Sequence, residues 1–97
     1  METKRQPTHP GEILKEEFMR PLDITQVDLA KSLGVSFRTI SELVNEKRAV
    51  SPEMALRLSI YFRTSPELWL NLQNAYDLHK AAKKAEKALK AIHPTAA

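Results

Sequence analysis

The chain has no cysteine and only two glycines, Gly11 and Gly34, among its 97 residues. Without thiols there is no disulfide framework and no thiolate ligand or nucleophile, and the redox compartment is left open. So little glycine rules out a glycine-rich phosphate loop. No apolar run approaches the roughly 18 residues of a membrane span, and the opening METKRQPTHP lacks the apolar core of a signal segment. A cytoplasmic protein is the expectation. Runs of alternating apolar and polar residues are also missing, which points to an all-α chain. His9, His79 and His93 are scattered, with no second histidine or carboxylate at a ligand spacing. Ser59 and the other serines have no candidate base partner. Metal, cofactor and enzyme readings all lack parts.

What is present is ordinary for one small globular domain: 11.0 kDa, 42% hydrophobic and 28% charged residues. The net charge of +3 is unevenly placed. Lys80, Lys83, Lys84, Lys87 and Lys90 face a single acid, Glu86, in the last segment, leaving ten basic and eleven acidic groups in residues 1–79. A lysine-coated solvated helix accounts for that tail, so charge alone does not establish nucleic-acid binding.

Punctuation divides the chain into an N-terminal arm of residues 1–8, expected to be flexible, a domain of residues 9–79 and a lysine- and alanine-rich extension of residues 80–97. Ile13, Leu14, Phe18 and Leu22 recur at helical spacing, and Pro21 stops that first helix near Met19. Thr25 caps a second helix through Leu33, with Val27, Leu29, Ala30 and Leu33 as its candidate core. Ser51-Pro52-Glu53 and Ser65-Pro66-Glu67 each supply a capping serine, a proline at the first helical position and an acid in the first turn. They predict helices over residues 52–62 and 66–92.

Gly34 falls directly after the second helix, where a left-handed residue ends a helix and glycine enters without steric cost. Val35 adds an apolar contact and Ser36 caps the next helix. Two short helices joined by such a turn form a helix-turn-helix unit. At about 100° per residue, Ile40, Leu43 and Val44 cluster on one face of the second member. Arg38, Ser41, Glu42 and Asn45 lie opposite, with Phe37 and Thr39 on the flanks. A short helix with one free polar face fits a major groove.

The run from Thr25 and Gln26 through Leu29-Ala30, Leu33-Gly34-Val35-Ser36, Ile40-Ser41 and Leu43-Val44-Asn45 resembles the helix-turn-helix of the phage-repressor (Xre-type) superfamily. Beyond it, HPGEILKEEFMRPLDIT and AVSPEMALRLSIYFRTSPELWLNLQNAYDL resemble the HigA/VapI antitoxins of toxin–antitoxin modules, over roughly residues 8–79. The resemblance implies a five-helix DNA-binding domain with a long C-terminal helix. It places Gln26 on a backbone phosphate, Phe37, Arg38 and Glu42 at base edges, and Ser36, Thr39, Asn45 and Lys47 at phosphates, with Ser41 and Arg48 on the same face. Arg38 suits guanine, Glu42 a cytosine amino group and Phe37 a thymine methyl. Plainer roles stay open: Gln26 extending the cap, Phe37 in the core beside Val44, Glu42 paired with Arg38 four residues back, and Lys47 and Arg48 as loop charges. Many relatives carry Asn-Gly-Lys after the recognition helix. Here it is Asn45-Glu46-Lys47, so either Asn45 takes the left-handed position or the turn differs.

Trp69, Leu72 and Tyr76 share a stripe on the last helix with Leu68 at its edge, above a core expected from Leu56, Leu58, Ile60 and Phe62. These four stripe residues are the candidate dimer interface, with Trp69 enclosed in its own subunit as the competing view. Leu78, Ala82, Ala85, Leu89 and Ile92 continue as a narrow coiled-coil-like seam, for self-association or a toxin, or else as a frayed helix end. The family resemblance implies a homodimeric antitoxin that binds operator DNA, represses its own operon and neutralises a RelE-like mRNA-cleaving toxin, with no cofactor and no membrane partner. A stand-alone repressor, or a module that neutralises a partner without binding DNA, fits the same residues.

Overall fold

A computed structural model describes residues 6–96. Part of the expected arm, residues 1–5, lies outside the described residues, and Gln6 to Thr8 carry no regular structure. Helix α1 spans Pro10–Ile13 and runs on without a break into a π-helical segment, Leu14–Met19. Four more helices follow, α2 (Gln26–Leu33), α3 (Phe37–Val44), α4 (Pro52–Phe62) and α5 (Pro66–Lys84), before a short α6 (Glu86–Lys90). The expected long last helix is therefore divided at Ala85, whose backbone leaves the helical region at φ −101°, ψ 18°. No strand occurs among the described residues.

Helices α2 to α5 start alike. The hydroxyls of Thr25, Ser36, Ser51 and Ser65 accept from the backbone N–H three residues on, all at 3.1 Å. Such caps satisfy one of the orphan donors of a first turn and contribute about 1 kcal/mol each. At α1 the cap is a side chain the sequence did not flag: His9 Nδ1 accepts from Gly11 N–H at 2.8 Å.

The ends are alike too. Asp23, Gly34, Glu46 and Arg63 all sit at positive φ, between 56° and 72°. After each, the next N–H reaches back five residues: Ile24 to Met19, Val35 to Ala30, Lys47 to Glu42 and Thr64 to Ser59. That is the Schellman closure used at four successive helix ends, with glycine at only one of them. At the turn after α3 it is Glu46 itself, and not Asn45, that takes the left-handed conformation.

The wider winding of the π segment has a packing reason. Its bonds close five residues apart, as in Arg20 N–H to Lys15 C=O at 3.0 Å. This brings Met19 to the same side as Leu14, so both are buried while Phe18 leans on the core between them. The centre of the molecule is Leu14, Leu29, Ile40, Leu43, Leu58 and Trp69, all fully buried. The Phe18 ring meets Phe62 and Trp69 with centroids 5.0 and 5.1 Å apart.

Three expected core residues are exposed instead: Val27, Leu56 and Ile60. Helix α4 turns Met54, Ala55, Leu58 and Ser59 inward. Alternate positions such as 56, 58 and 60 cannot share one face of a helix. Leu22, beyond the end of the first helix, is exposed as well.

Candidate nucleic-acid interface

Helix α3 is held on three sides. Its inner face buries Ile40, Leu43 and Val44. Its start is tied to α2 through Gly34, at φ 72°, and through Val35, whose side chain packs on the core. A guanidinium secures the same turn: Arg57 Nη1 donates to the carbonyl of Leu33 at 2.6 Å while its Nε and Nη2 hold Glu53. Behind the far end, Gly11 of α1 lies so close to α3 that a Cβ there would fall on the backbone carbonyl of Leu43. The loop into α4 is pinned by Gln73 of α5, which accepts from Val50 N–H at 2.8 Å and donates to Asp77 at 3.0 Å. Buried glutamine is satisfied in this way on both ends of its amide.

What α3 presents outward is polar with one aromatic. Phe37 is exposed, so it does not join Val44 in the core. Ser36 and Thr39 share a hydroxyl hydrogen bond of 2.9 Å at the helix start. Asn45 turns back, its amide donating to the Ser41 carbonyl at 2.8 Å. Gln26 opens α2 half-buried, and Lys47 stands exposed in the turn after Glu46. The side chain of Arg38 is 84% exposed.

Glu42 is the electrostatic centre of this face. One carboxylate oxygen accepts from Arg38 Nε at 2.9 Å, and the other from Arg48 Nε and Nη2 at 3.0 and 2.7 Å. Hydrogen bonds from Arg38 first, then Arg48, hold the carboxyl below its ordinary range, so it stays ionised near neutrality. Arg48 is thereby assigned more than a loop charge. Its position six residues on from Glu42 gives no periodic signal, and only the left-handed turn at Glu46 brings it back.

The four proposed interface residues on α5 fare differently. Trp69 is fully enclosed in its own subunit, its indole N–H donating to Thr64 Oγ1 at 2.8 Å, which removes it as an intermolecular anchor. Leu72 packs against the core. Tyr76 meets the His9 ring edge-on at 4.8 Å and lies 5.4 Å beneath the Lys80 ammonium. Leu68 alone of the four is exposed. Gly11, Arg57 and Gln73 position the site without having been marked by sequence reasoning. Of these only Gly11 carried a signal, being one of two glycines and lying inside a helical pattern.

No three His, Asp or Glu side chains converge to hold a metal ion among the described residues, and no helix is long and apolar enough to cross a membrane. A family model for helix-turn-helix proteins matches residues 14–69. Virulence-associated protein I of Dichelobacter nodosus is 44% identical over 86 residues, spanning 89% of this chain and 79% of that protein. Antitoxin HigA-1 of Vibrio cholerae is 38% identical over 92 residues, spanning 95% of this chain and 87% of its own. Among solved structures, the Pseudomonas aeruginosa antitoxin HigA with the higBA promoter superposes with a TM-score of 0.88 at 43% identity, covering 92% of this chain and 98% of that one. With the family model matching more than half of the chain and these relatives covering most of it, the chain belongs to the helix-turn-helix family and, within it, to the HigA/VapI antitoxins.

Proposed function

We propose that this protein binds operator DNA through α3, represses its own operon as a two-fold dimer, and neutralises a small RelE-like mRNA-cleaving toxin. The observation that carries the DNA reading is the aim of α3: a helix braced on three sides, with the guanidinium of Arg38 exposed on its outer face and held only through Nε by Glu42. Arg38 offers a fork for a guanine edge, and Phe37 an apolar contact for a thymine methyl. Ser36, Thr39, Lys47 and the N-terminus of α2 at Gln26 supply phosphate contacts that set register. The HigA relative held with its promoter supports this assignment. The toxin assignment rests on the family alone.

One recognition helix covers few base pairs, so two copies would read half-sites about 34 Å apart. The exposed side of α5 is the self-complementary surface proposed for this. Leu68, Asn71, Ala75, Leu78 and Ala82 follow one another at three- and four-residue steps, and all are exposed.

A second reading is favoured by Glu42, which engages both arginines and weakens the positive field of the face. On that reading the domain neutralises a partner without binding DNA. Titration of labelled operator and unrelated duplex, across a range of salt, decides between them. Arg38→Ala should weaken operator binding by about 1–3 kcal/mol and leave unrelated duplex nearly unaffected. Lys47→Ala should weaken both equally and lower the salt slope by about one unit. Absence of salt-dependent binding by the wild-type protein would leave only the second reading. The toxin assignment is tested by co-expression with the product of an adjacent reading frame, followed by an mRNA-cleavage assay.

A further inference from the structure

We propose that Glu42 is a positioning residue that sets operator specificity by holding Arg38 along its Nε edge. The inference rests on the reading that α3 enters the major groove. Its ground is the way the two carboxylate oxygens divide. Oε2 takes only the Nε of Arg38, at 2.9 Å, while Oε1 takes the Nε and Nη2 of Arg48. A guanidinium offers five N–H donors in a planar fork. Engaging Arg38 through Nε fixes the plane of that fork and leaves its terminal Nη1/Nη2 edge toward solvent, the edge that can bridge the two acceptors of guanine. An arginine on an exposed helix otherwise has many rotamers to give up on binding. Glu42 removes that freedom in the unbound protein.

Arg48 completes the device from the other side. It lies two residues beyond the left-handed Glu46, in a turn closed by the Lys47 N–H on the Glu42 carbonyl at 2.8 Å. The turn thus fixes Glu42 through its backbone and, through Arg48, its carboxylate. The order of dependence is turn, Arg48, Glu42, Arg38. Glu42 also cancels one of the two positive charges it joins, which lowers attraction to phosphates regardless of sequence. The two effects are separable: holding Arg38 raises the ratio of operator to unrelated DNA, whereas the cancelled charge weakens binding to both and leaves that ratio unchanged.

The test compares wild type, Glu42→Gln, Arg38→Ala and the double variant on operator and unrelated duplex, at several salt concentrations. Circular dichroism and melting confirm that each is folded. Glutamine keeps the shape of Glu42 and removes its charge. Glu42→Gln is expected to tighten binding to unrelated duplex, to steepen its salt slope by about one unit, and to lower the operator-to-unrelated ratio by about tenfold. With Arg38 already replaced by alanine, Glu42→Gln should leave that ratio unchanged, because nothing remains to be positioned. This non-additivity is what a merely structural residue would not show. An unchanged ratio in Glu42→Gln, with wild type still selecting its operator, overturns the inference and spares the functional reading. An equal loss with and without Arg38 also overturns it, since Glu42 would then read a base directly. Failure of wild type to bind DNA at all overturns both.

Discussion

Gly11 packs its bare α-carbon against the carbonyl of Leu43, so the start of α1 and the end of α3 meet backbone to backbone. A Cβ at Gly11 would fall on the Leu43 oxygen, lie 2.9 Å from its carbon and reach 3.1 Å from His9 Nδ1. Backbone cannot yield as the tip of a side chain can. Gly11→Ala should therefore push α1 away from α3, with overpacking of about 1–3 kcal/mol or more. For a chain of this size that lowers the melting temperature by at least about 5 °C. Calorimetry measures it, and an unshifted transition would mean the helices are not in this contact. Operator affinity should fall with it, because α1 is one of the braces of α3.

The left-handed helix ends give a pair of predictions with opposite sign. Gly34, at φ 72°, has Arg57 Nη1 3.3 Å from where a Cβ would lie, so Gly34→Val adds crowding to a backbone strain of about 1–3 kcal/mol. Glu46, at φ 62°, already carries such strain. Glu46→Gly should relieve it and stabilise the fold by about 0.5–1 kcal/mol, after the added freedom of glycine in the unfolded chain is counted. Urea midpoints of the two variants should move to opposite sides of wild type. Movement in the same direction would show that these two turns are not equivalent.

His9 makes stability depend on pH. Burial pushes its imidazole below the ordinary value, with Lys80 adding to that, while Glu46 and Asp77 oppose it. The cap requires an unprotonated Nδ1, since Gly11 N–H donates to it. The unfolded chain takes up a proton at about pH 6.5 and the folded chain only at lower pH. The contribution of His9 is thus complete above about pH 6.5 and declines as pH falls below it. His9→Asn keeps a capping acceptor and does not titrate, although it loses the ring contact with Tyr76. The stability gap between wild type and this variant should narrow from pH 7.5 to pH 5.5. A constant gap would rule out the neutral cap.

Much of this frame was legible because it rests on local chemistry. Thr25, Ser36, Ser51 and Ser65 announce their helices through short-range hydrogen bonds, and Gly34 its turn through the one residue type that enters it freely. Glu46 and Arg63 enter the same conformation against local preference, held by the backbone bonds that close each turn, and neither residue type betrays that; aspartate at Asp23 enters it more readily but is a weaker signal than glycine. Arg57 and Gln73 act across 24 and 23 residues of sequence, on a carbonyl and an N–H that carry no side-chain signature. On α4 the apolar residues outnumber the buried face, so composition could not say which of Leu56, Leu58 and Ile60 points inward. Only the packing of α4 on its neighbours decides it.

The assembly prediction turns on Trp69 and its neighbours in α5. A stripe of Trp69, Leu72 and Tyr76 would have made one anchor for two subunits, but those side chains are committed to Thr64, the core and His9 respectively. The exposed row one step round the helix, Leu68, Asn71, Ala75, Leu78 and Ala82, is narrow and has a polar residue within it. A single asparagine in such a seam fixes register at some loss of stability. Two variants separate the roles of the rows. Leu78, 70% exposed, touches little in its own subunit, so Leu78→Glu should leave the melting curve of the monomer intact while placing like charges across a two-fold seam. Trp69→Ala should instead cost about 3–5 kcal/mol through the cavity it leaves, whatever the oligomeric state. Sedimentation at micromolar concentration is expected to show a wild-type dimer, a folded Leu78→Glu monomer, and weaker operator binding by Leu78→Glu with unrelated duplex bound as before. Ile92 lies past the break at Ala85 and beyond the end of α6, off the helix that carries the α5 row, so truncation after Lys84 should leave the dimer in place. A folded wild-type monomer at that concentration would end the claim of two-fold binding through α5.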